Sequence, residues 1–312
     1  MCCGCHRTTQ TQNGTLAVLS VAAIVALVHL LTNNRYGFHR DELQFLSDAR
    51  HLDWGFVAYP PVTPFLERIG LGIFGVSLVG LRLFSVVAHS LAILVTGLMA
   101  RELGGGRLAQ VVAALAIALS PLPLFQGTEF QYTTFDYLWW VLTAYFVIRL
   151  LTTANPRWWM AIGEAMGLGL LTKYSIVFFI AGILGGAWLG RTSSGKCAMD
   201  SSHCTSCKHI HTRDVGEGRA NGISARSVPG CANLFAAPLW IAGLLCLVRD
   251  RRYRLLAWMY LIPLALFLAA KGRGYYLAAA YPMLIAMGAI AGGHSNPRSS
   301  SRSRPVEYSA VR

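Results

Sequence analysis

Leu81-Arg82-Leu83-Phe84-Ser85-Val86-Val87-Ala88-His89-Ser90-Leu91-Ala92-Ile93-Leu94-Val95-Thr96-Gly97-Leu98-Met99 is apolar over nearly its whole length. A helix of about this length spans the roughly 30 Å hydrocarbon core of a bilayer, where every backbone group must be satisfied internally. Comparable blocks run from Leu16 to Leu31, Leu108 to Phe125, Tyr137 to Leu151, Trp158 to Leu171, Ile176 to Leu189, Leu234 to Val248, Leu255 to Ala270 and Tyr275 to Ile290. The window rule therefore predicts about nine spans. Ile69 to Gly80 is too short and glycine-rich for a span and is expected to be re-entrant or interfacial. Composition agrees: of 312 residues 54% are hydrophobic and 13% charged, too little charge to coat a water-soluble surface. The expected fold is all-α, a polytopic transmembrane helix bundle. No solenoid repeat and no sizeable soluble domain is visible.

The net charge of +13 is distributed as a topology signal. Lys and Arg gather at Arg101 and Arg107, Arg149 and Arg157, Arg191 and Lys196, Arg249 to Arg254, and Arg298 to Arg312. The positive-inside rule makes those segments cytoplasmic, and no interleaved aromatics suggest a nucleic-acid surface, so nucleic acid is not an expected partner. The first apolar block lacks a small-x-small cleavage pattern at Leu30 to Asn34 and is read as an uncleaved span. From a cytoplasmic N-terminus, the loops after the first, third and fifth spans lie outside.

The organisation predicted is a cytoplasmic segment over 1–13, a membrane domain over 14–292 interrupted by a polar stretch over 192–231, and a basic tail over 293–312. Cys2, Cys3 and Cys5 fall on the reducing side. Cys204 and Cys207 have C-x-x-C spacing, but the second half of a four-ligand zinc pattern is missing. No metal ligand set is assigned.

Chemistry-bearing residues sit at span ends. The segment Phe38 to Leu52 carries adjacent carboxylates, Asp41 and Glu42. Phe45, Leu46, Ala49 and Leu52 can share one face, which predicts an interfacial helix with its charges toward water. Tyr59-Pro60-Pro61-Val62-Thr63-Pro64 is expected to be extended or turning. Asp136 heads an aromatic span, where a carboxylate lies at the water boundary or lines a cavity. Lys173 is expected to cap a tight hairpin, with snorkelling as the plain alternative. Lys271-Gly272-Arg273-Gly274-Tyr275-Tyr276 combines glycines, two cations and two phenols that could embrace a phosphate.

In order, Arg40-Asp41-Glu42, Tyr59-Pro60-Pro61, Gly80-Leu81-Arg82, Asp136, Leu171-Thr172-Lys173-Tyr174, Lys271 with Tyr275-Tyr276, and Tyr281-Pro282 resemble polyprenol-phosphate-sugar glycosyltransferases. These are membrane enzymes of the GT-C fold that include protein O-mannosyltransferases and the aminoarabinose transferases of lipid A. The resemblance covers most of residues 14–292, broken in the polar middle. It implies a plasma-membrane, cell-envelope enzyme of bacterial type. That enzyme would move a sugar, with inversion, from a polyprenyl-phosphate donor to a lipid, glycan or protein acceptor on the extracytoplasmic face.

Carried over by position, Asp41 matches the catalytic base, with Glu42 beside it, and Asp136 a second acidic position at the acceptor or metal site. Lys271, Arg273, Tyr275 and Tyr276, together with Lys173, fall near the donor phosphate. Tyr59, His209 and Arg213 are loop contacts. Ala58 and Tyr59 stand where aminoarabinose transferases carry an acidic and a basic residue. No cofactor is assigned, and divalent-metal dependence is left open.

A direct run from Arg191 into the Leu234 to Val248 block would place Arg249 to Arg254 outside, against the charge rule at its strongest cluster. A further crossing missing or hidden between Arg191 and Cys231 is therefore expected, with the gap nearest Gly195 to Cys207. Such a gap keeps a second reading open, an inactive or truncated family member acting as a membrane partner. A transporter is the third reading, although the paired interrupted helices of two similar halves are not evident.

Overall fold

A computed structural model of the chain describes residues 5–56, 59–193, 236–270 and 274–293. Among these, all regular structure is helical: α1 Cys5–Thr32, α2 Arg40–Arg50, α3 Val62–Phe74, α4 Leu78–Glu102, α5 Arg107–Ala118, α6 Pro121–Gln126, α7 Tyr132–Thr153, α8 Trp158–Leu170 and α9 Ile176–Ser193. Then come α10 Ala237–Arg249, α11 Arg254–Ala269, a 3₁₀ turn Gly274–Ala280 and α12 Tyr281–Gly293. Several of these helices are apolar enough for the bilayer, which makes this an integral membrane protein.

The span count differs from expectation. Among the described residues four helices are long and apolar enough to cross, Gly14–Thr32, Leu78–Glu102, Tyr132–Thr153 and Tyr275–Gly292. A fifth arises if α10 and α11, bent by 119° at their junction, count as one broken span. The apolar blocks overstate helix length because some include breaks. Leu108 to Phe125 is interrupted at Ser120, which is extended (φ −73°, ψ 129°), and α6 restarts on Pro121, whose missing N–H costs nothing at a first helical position. The shorter apolar helices include Arg107–Ala118 and Ile176–Leu189.

Two further local expectations change. Ile69 to Gly80 is not one piece: its first half completes α3, Gly75 to Ser77 form the turn, and Ser77 Oγ accepts the Gly80 N–H at 3.3 Å to start α4. The proline segment is only briefly non-helical, since Pro61 is the N-cap of α3 and Pro64 falls in its first turn, where proline is tolerated.

The helices sort the charges to two ends. At one end Arg149 Nη1 meets Glu102 Oε2 at 2.7 Å, Arg101 reaches Thr15 Oγ1 at 3.3 Å, and Arg252 Nη2 donates to the carbonyls of Leu151 (3.2 Å) and Thr152 (3.5 Å). At the other end lie the starts of α4 and α7, the α8–α9 turn and the 3₁₀ turn. The arginine end is the one for which the charge rule predicts a cytoplasmic side.

α9 and α11 run antiparallel. Phe178 packs on Phe267 with ring centroids 4.5 Å apart, and Gly186 lies against Leu255 and Trp258. Arg252 is thus at the arginine end. The stretch between Arg191 and Cys231 in which a further crossing is expected lies, from residue 194 on, outside the described residues. Gly243 of α10 and Gly288 of α12 let the two backbones touch, because a Cβ on either would fall on a carbonyl oxygen of Leu284 or Leu239.

Candidate active site

The acidic, aromatic end is organised by Arg82. An arginine one turn into a span is costly unless paired, and this one is surrounded by acceptors. Its Nε and Nη2 donate to Glu42 Oε1 and Oε2 at 2.8 Å each, Nη1 to Asn33 O at 2.6 Å and Nη2 to Gly37 O at 2.9 Å. Glu42 is completely buried. It also accepts the N–H of Phe130 at 2.9 Å and of His39 at 2.8 Å, so each carboxylate oxygen receives two hydrogen bonds. The end of α1, the start of α2, the head of α4 and the loop before α7 are thereby fixed to one another.

The reciprocal cap of α2 follows from the same residues: Asp41 N–H donates to His39 Nδ1 at 3.3 Å while His39 N–H reaches Glu42. Glu42, Phe45 and Ala49 form the buried face of α2. The expectation that all charges of α2 face water fails at Glu42 because Arg82 neutralises it inside.

Asp41 lies on the other side of the helix with 35% of its side chain exposed. Its Oδ2 accepts Gln131 Nε2 at 3.2 Å, Oδ1 lies 3.4 Å from Arg40 Nε, and His39 Nδ1 is 3.9 Å from Oδ2. The same Gln131 amide is 3.3 Å from Glu129 Oε2, so two carboxylates converge on one donor. Burial pushes the Glu129 carboxyl up from its ordinary range.

Asp136 is buried in α7 and accepts Ser175 Oγ at 2.6 Å through Oδ2. Thr172 Oγ1 accepts Trp139 Nε1 at 2.9 Å, so two side-chain bonds stitch the α8–α9 turn to α7. Val62 N–H donates to Leu171 O at 3.1 Å, bringing the proline segment to the same turn. Lys173, in that turn, is in charge interaction with Asp136. Its ammonium lies 4.8 Å from the Tyr132 ring centroid and 4.0 Å from that of Tyr276. Tyr275 Oη is 3.2 Å from Tyr276 Oη.

Tyr59 is buried and donates its hydroxyl to Asp48 Oδ2. Its ring stacks on Tyr132 (5.6 Å, 28°) and packs on Phe45 at 4.8 Å. Burial first, then the bond to Asp48 and nearby carboxylates, holds the phenol proton on far above the ordinary range.

One residue that the sequence did not single out lies beneath this group. Glu67 of α3 is completely buried, and among the described residues neither of its carboxyl oxygens has a hydrogen-bond partner. Burial, with Glu42 and Asp48 nearby, raises its pKa to about 8. Nothing in the pattern of α3 announced it; Arg82, by contrast, was detectable as a cation inside an apolar block.

The structure thus gathers Asp41, Glu42, Tyr59, Asp136, Lys173, Tyr275 and Tyr276 at one end. Lys271, Arg273, His209 and Arg213 lie outside the described residues. Among the described residues no group of three or more His, Cys, Asp or Glu is arranged to hold a metal ion.

No curated protein and no solved structure matches the chain. Residues 58–200, which include Tyr59, Arg82, Asp136 and Lys173, match the family model described as dolichyl-phosphate-mannose-protein mannosyltransferase, which supports a membrane glycosyltransferase of the GT-C type.

Proposed function

We propose that the chain transfers a sugar, with inversion, from a polyprenyl-phosphate donor to a hydroxyl of a lipid, glycan or protein acceptor on the extracytoplasmic face of a bacterial-type plasma membrane. The observation that carries this reading is the division of labour between adjacent carboxylates. Glu42 has both oxygens committed to Arg82, Phe130 and His39, whereas Asp41 is part-exposed at the end that also holds Lys173.

Asp41 is accordingly the general base and Glu42 its positioning neighbour. As the acceptor oxygen bonds to the anomeric carbon, its proton passes to the Asp41 carboxylate and the bond from that carbon to the phosphate oxygen breaks. Proton removal by a placed carboxylate contributes typically about 10² to 10⁴-fold. The leaving polyprenyl phosphate gains charge, which Lys173, Lys271 and Arg273 stabilise, with Tyr275 and Tyr276 beside them. Asp136 organises the Lys173 turn on the acceptor side. Tyr59, whose hydroxyl is committed to Asp48, packs the site instead of contacting phosphate; His209 and Arg213 are further loop contacts.

A second reading, an inactive family member serving as a membrane partner, is favoured by the family match stopping at residue 200. A donor screen separates the two. Purified full-length protein in detergent, offered polyprenyl-phosphate sugars and hydroxyl acceptors, transfers label under the first reading. Donor binding without transfer by any sugar would leave the second.

A further inference from the structure

We propose that Tyr132 and Tyr276 form a two-sided aromatic cradle that positions the Lys173 ammonium toward the donor phosphate, so that Tyr276 acts through its ring and not through its hydroxyl. This rests on the function proposed above and adds a role for two residues within it.

Three chain regions distant in sequence meet at one cation. Tyr132 is the first residue of α7, Lys173 sits in the α8–α9 turn, and Tyr276 belongs to the 3₁₀ turn Gly274–Ala280. The ring centroids lie 4.8 and 4.0 Å from Nζ, within the range where the ring quadrupole attracts a cation. Each ring is itself held. Tyr132 stacks on the buried Tyr59, and Tyr276 packs against Tyr275 at 4.4 Å and Phe267 at 5.9 Å. The turn that carries Lys173 is fixed by Thr172 and Ser175.

The chemistry explains why rings serve here. A lysine ammonium is a compact charge on a flexible stem, and it needs outside contacts to adopt one position. Asp136 alone could hold it, but a carboxylate also repels an arriving phosphate. Aromatic faces attract the ammonium without a formal negative charge, so they fix its position and leave its field directed at an anion.

Two measurements on the purified full-length protein test this. In transfer assays, Tyr276→Leu should raise the donor KM about tenfold with kcat changed much less, and Tyr276→Phe, which keeps the ring, should recover to within about threefold of the parent. In a Lys173→Met background, Tyr276→Leu should add less than about twofold. A Phe variant as impaired as Leu would assign the role to the hydroxyl, and a full additional loss in the Met background would show that Tyr276 acts independently of Lys173; either overturns the cradle.

The second measurement follows Lys173 modification by an amine-reactive reagent, read by peptide mass spectrometry. Loss of the ring in Tyr276→Leu should speed modification about fivefold while Tyr276→Phe does not. Equal rates in the parent and both variants would overturn the cradle. This readout does not depend on transfer, so a parent that transfers no sugar would count against the proposed function and leave the cradle to be judged on Lys173 reactivity.

Discussion

Arg82 grips Glu42 with two parallel hydrogen bonds of 2.8 Å in a setting where both side chains are almost fully buried. Paired in this way the two ions satisfy each other; with one removed, the other is left as an uncompensated charge at a membrane boundary. Glu42→Ala should therefore lower stability by about 3–5 kcal/mol, the usual cost of breaking a buried pair. Arg82→Lys, which cannot reproduce the fork, should also destabilise. Thermal unfolding of the detergent-solubilised variants checks this, and a Glu42→Ala protein as stable as the parent would show that the pair is not what fixes α2.

Glu67 predicts a pH dependence of stability. Its pKa in the folded protein, about 8, lies above the ordinary carboxyl value of 4.5. The folded state therefore holds a proton that the unfolded chain has released between those values, and stability attributable to this group declines as pH rises from about 4.5 to about 8, by up to about 1.4 kcal/mol per pH unit. Glu67→Gln removes the titration. The stability of Glu67→Gln relative to the parent should rise across that window and level off above it. Parallel stability–pH curves for the two proteins would mean that Glu67 is ionised in the fold.

Gly127 sits where the loop carrying Glu129, Phe130 and Gln131 passes the buried pair His29 and His89, whose ring nitrogens are 3.0 Å apart. A Cβ at this position would lie 2.5 Å from His29 Nε2 and 2.9 Å from His89 Nδ1. Gly127→Ala should cost about 1–3 kcal/mol as an overpacked site, and should weaken the Gln131 contact with Asp41. Unchanged melting temperature and transfer rate in this variant would show that the loop can shift freely.

Sidedness is a fourth expectation. Cysteines replacing Asp41 and the exposed Tyr174 should react with an impermeant reagent from the extracytoplasmic face, and one replacing Arg252 only from the cytoplasm. Reaction of positions 41 and 252 from the same face would break the two-ended arrangement.

Much of this arrangement was legible in the residues themselves. Apolar blocks flanked by arginines announced a membrane bundle, and the order of carboxylates and lysines at block ends put Asp41, Asp136 and Lys173 on one side of it. Hydropathy could not locate where apolar runs stop being one helix, which depends on single residues such as Ser120 and Pro121. Nor could it tell Asp41 from Glu42: adjacent carboxylates look alike in sequence, and their different fates depend on Arg82, forty residues away. Glu67 was invisible because a lone acid on a short helix ordinarily faces water. The glycine-flanked cations Lys271 and Arg273 and the polar stretch bearing His209 and Arg213 lie outside the described residues.

The central claim, that Asp41 takes the acceptor proton while Glu42 only positions it, is tested most directly by the transfer rate of Asp41→Asn in purified, folded protein. Asn nearly matches Asp in shape and can still meet Gln131, but it cannot accept the proton. The expected result is a fall in kcat of about 10² to 10⁴-fold with the melting temperature of the parent retained. Turnover close to that of the parent in Asp41→Asn would contradict it and remove Asp41 from the role of base.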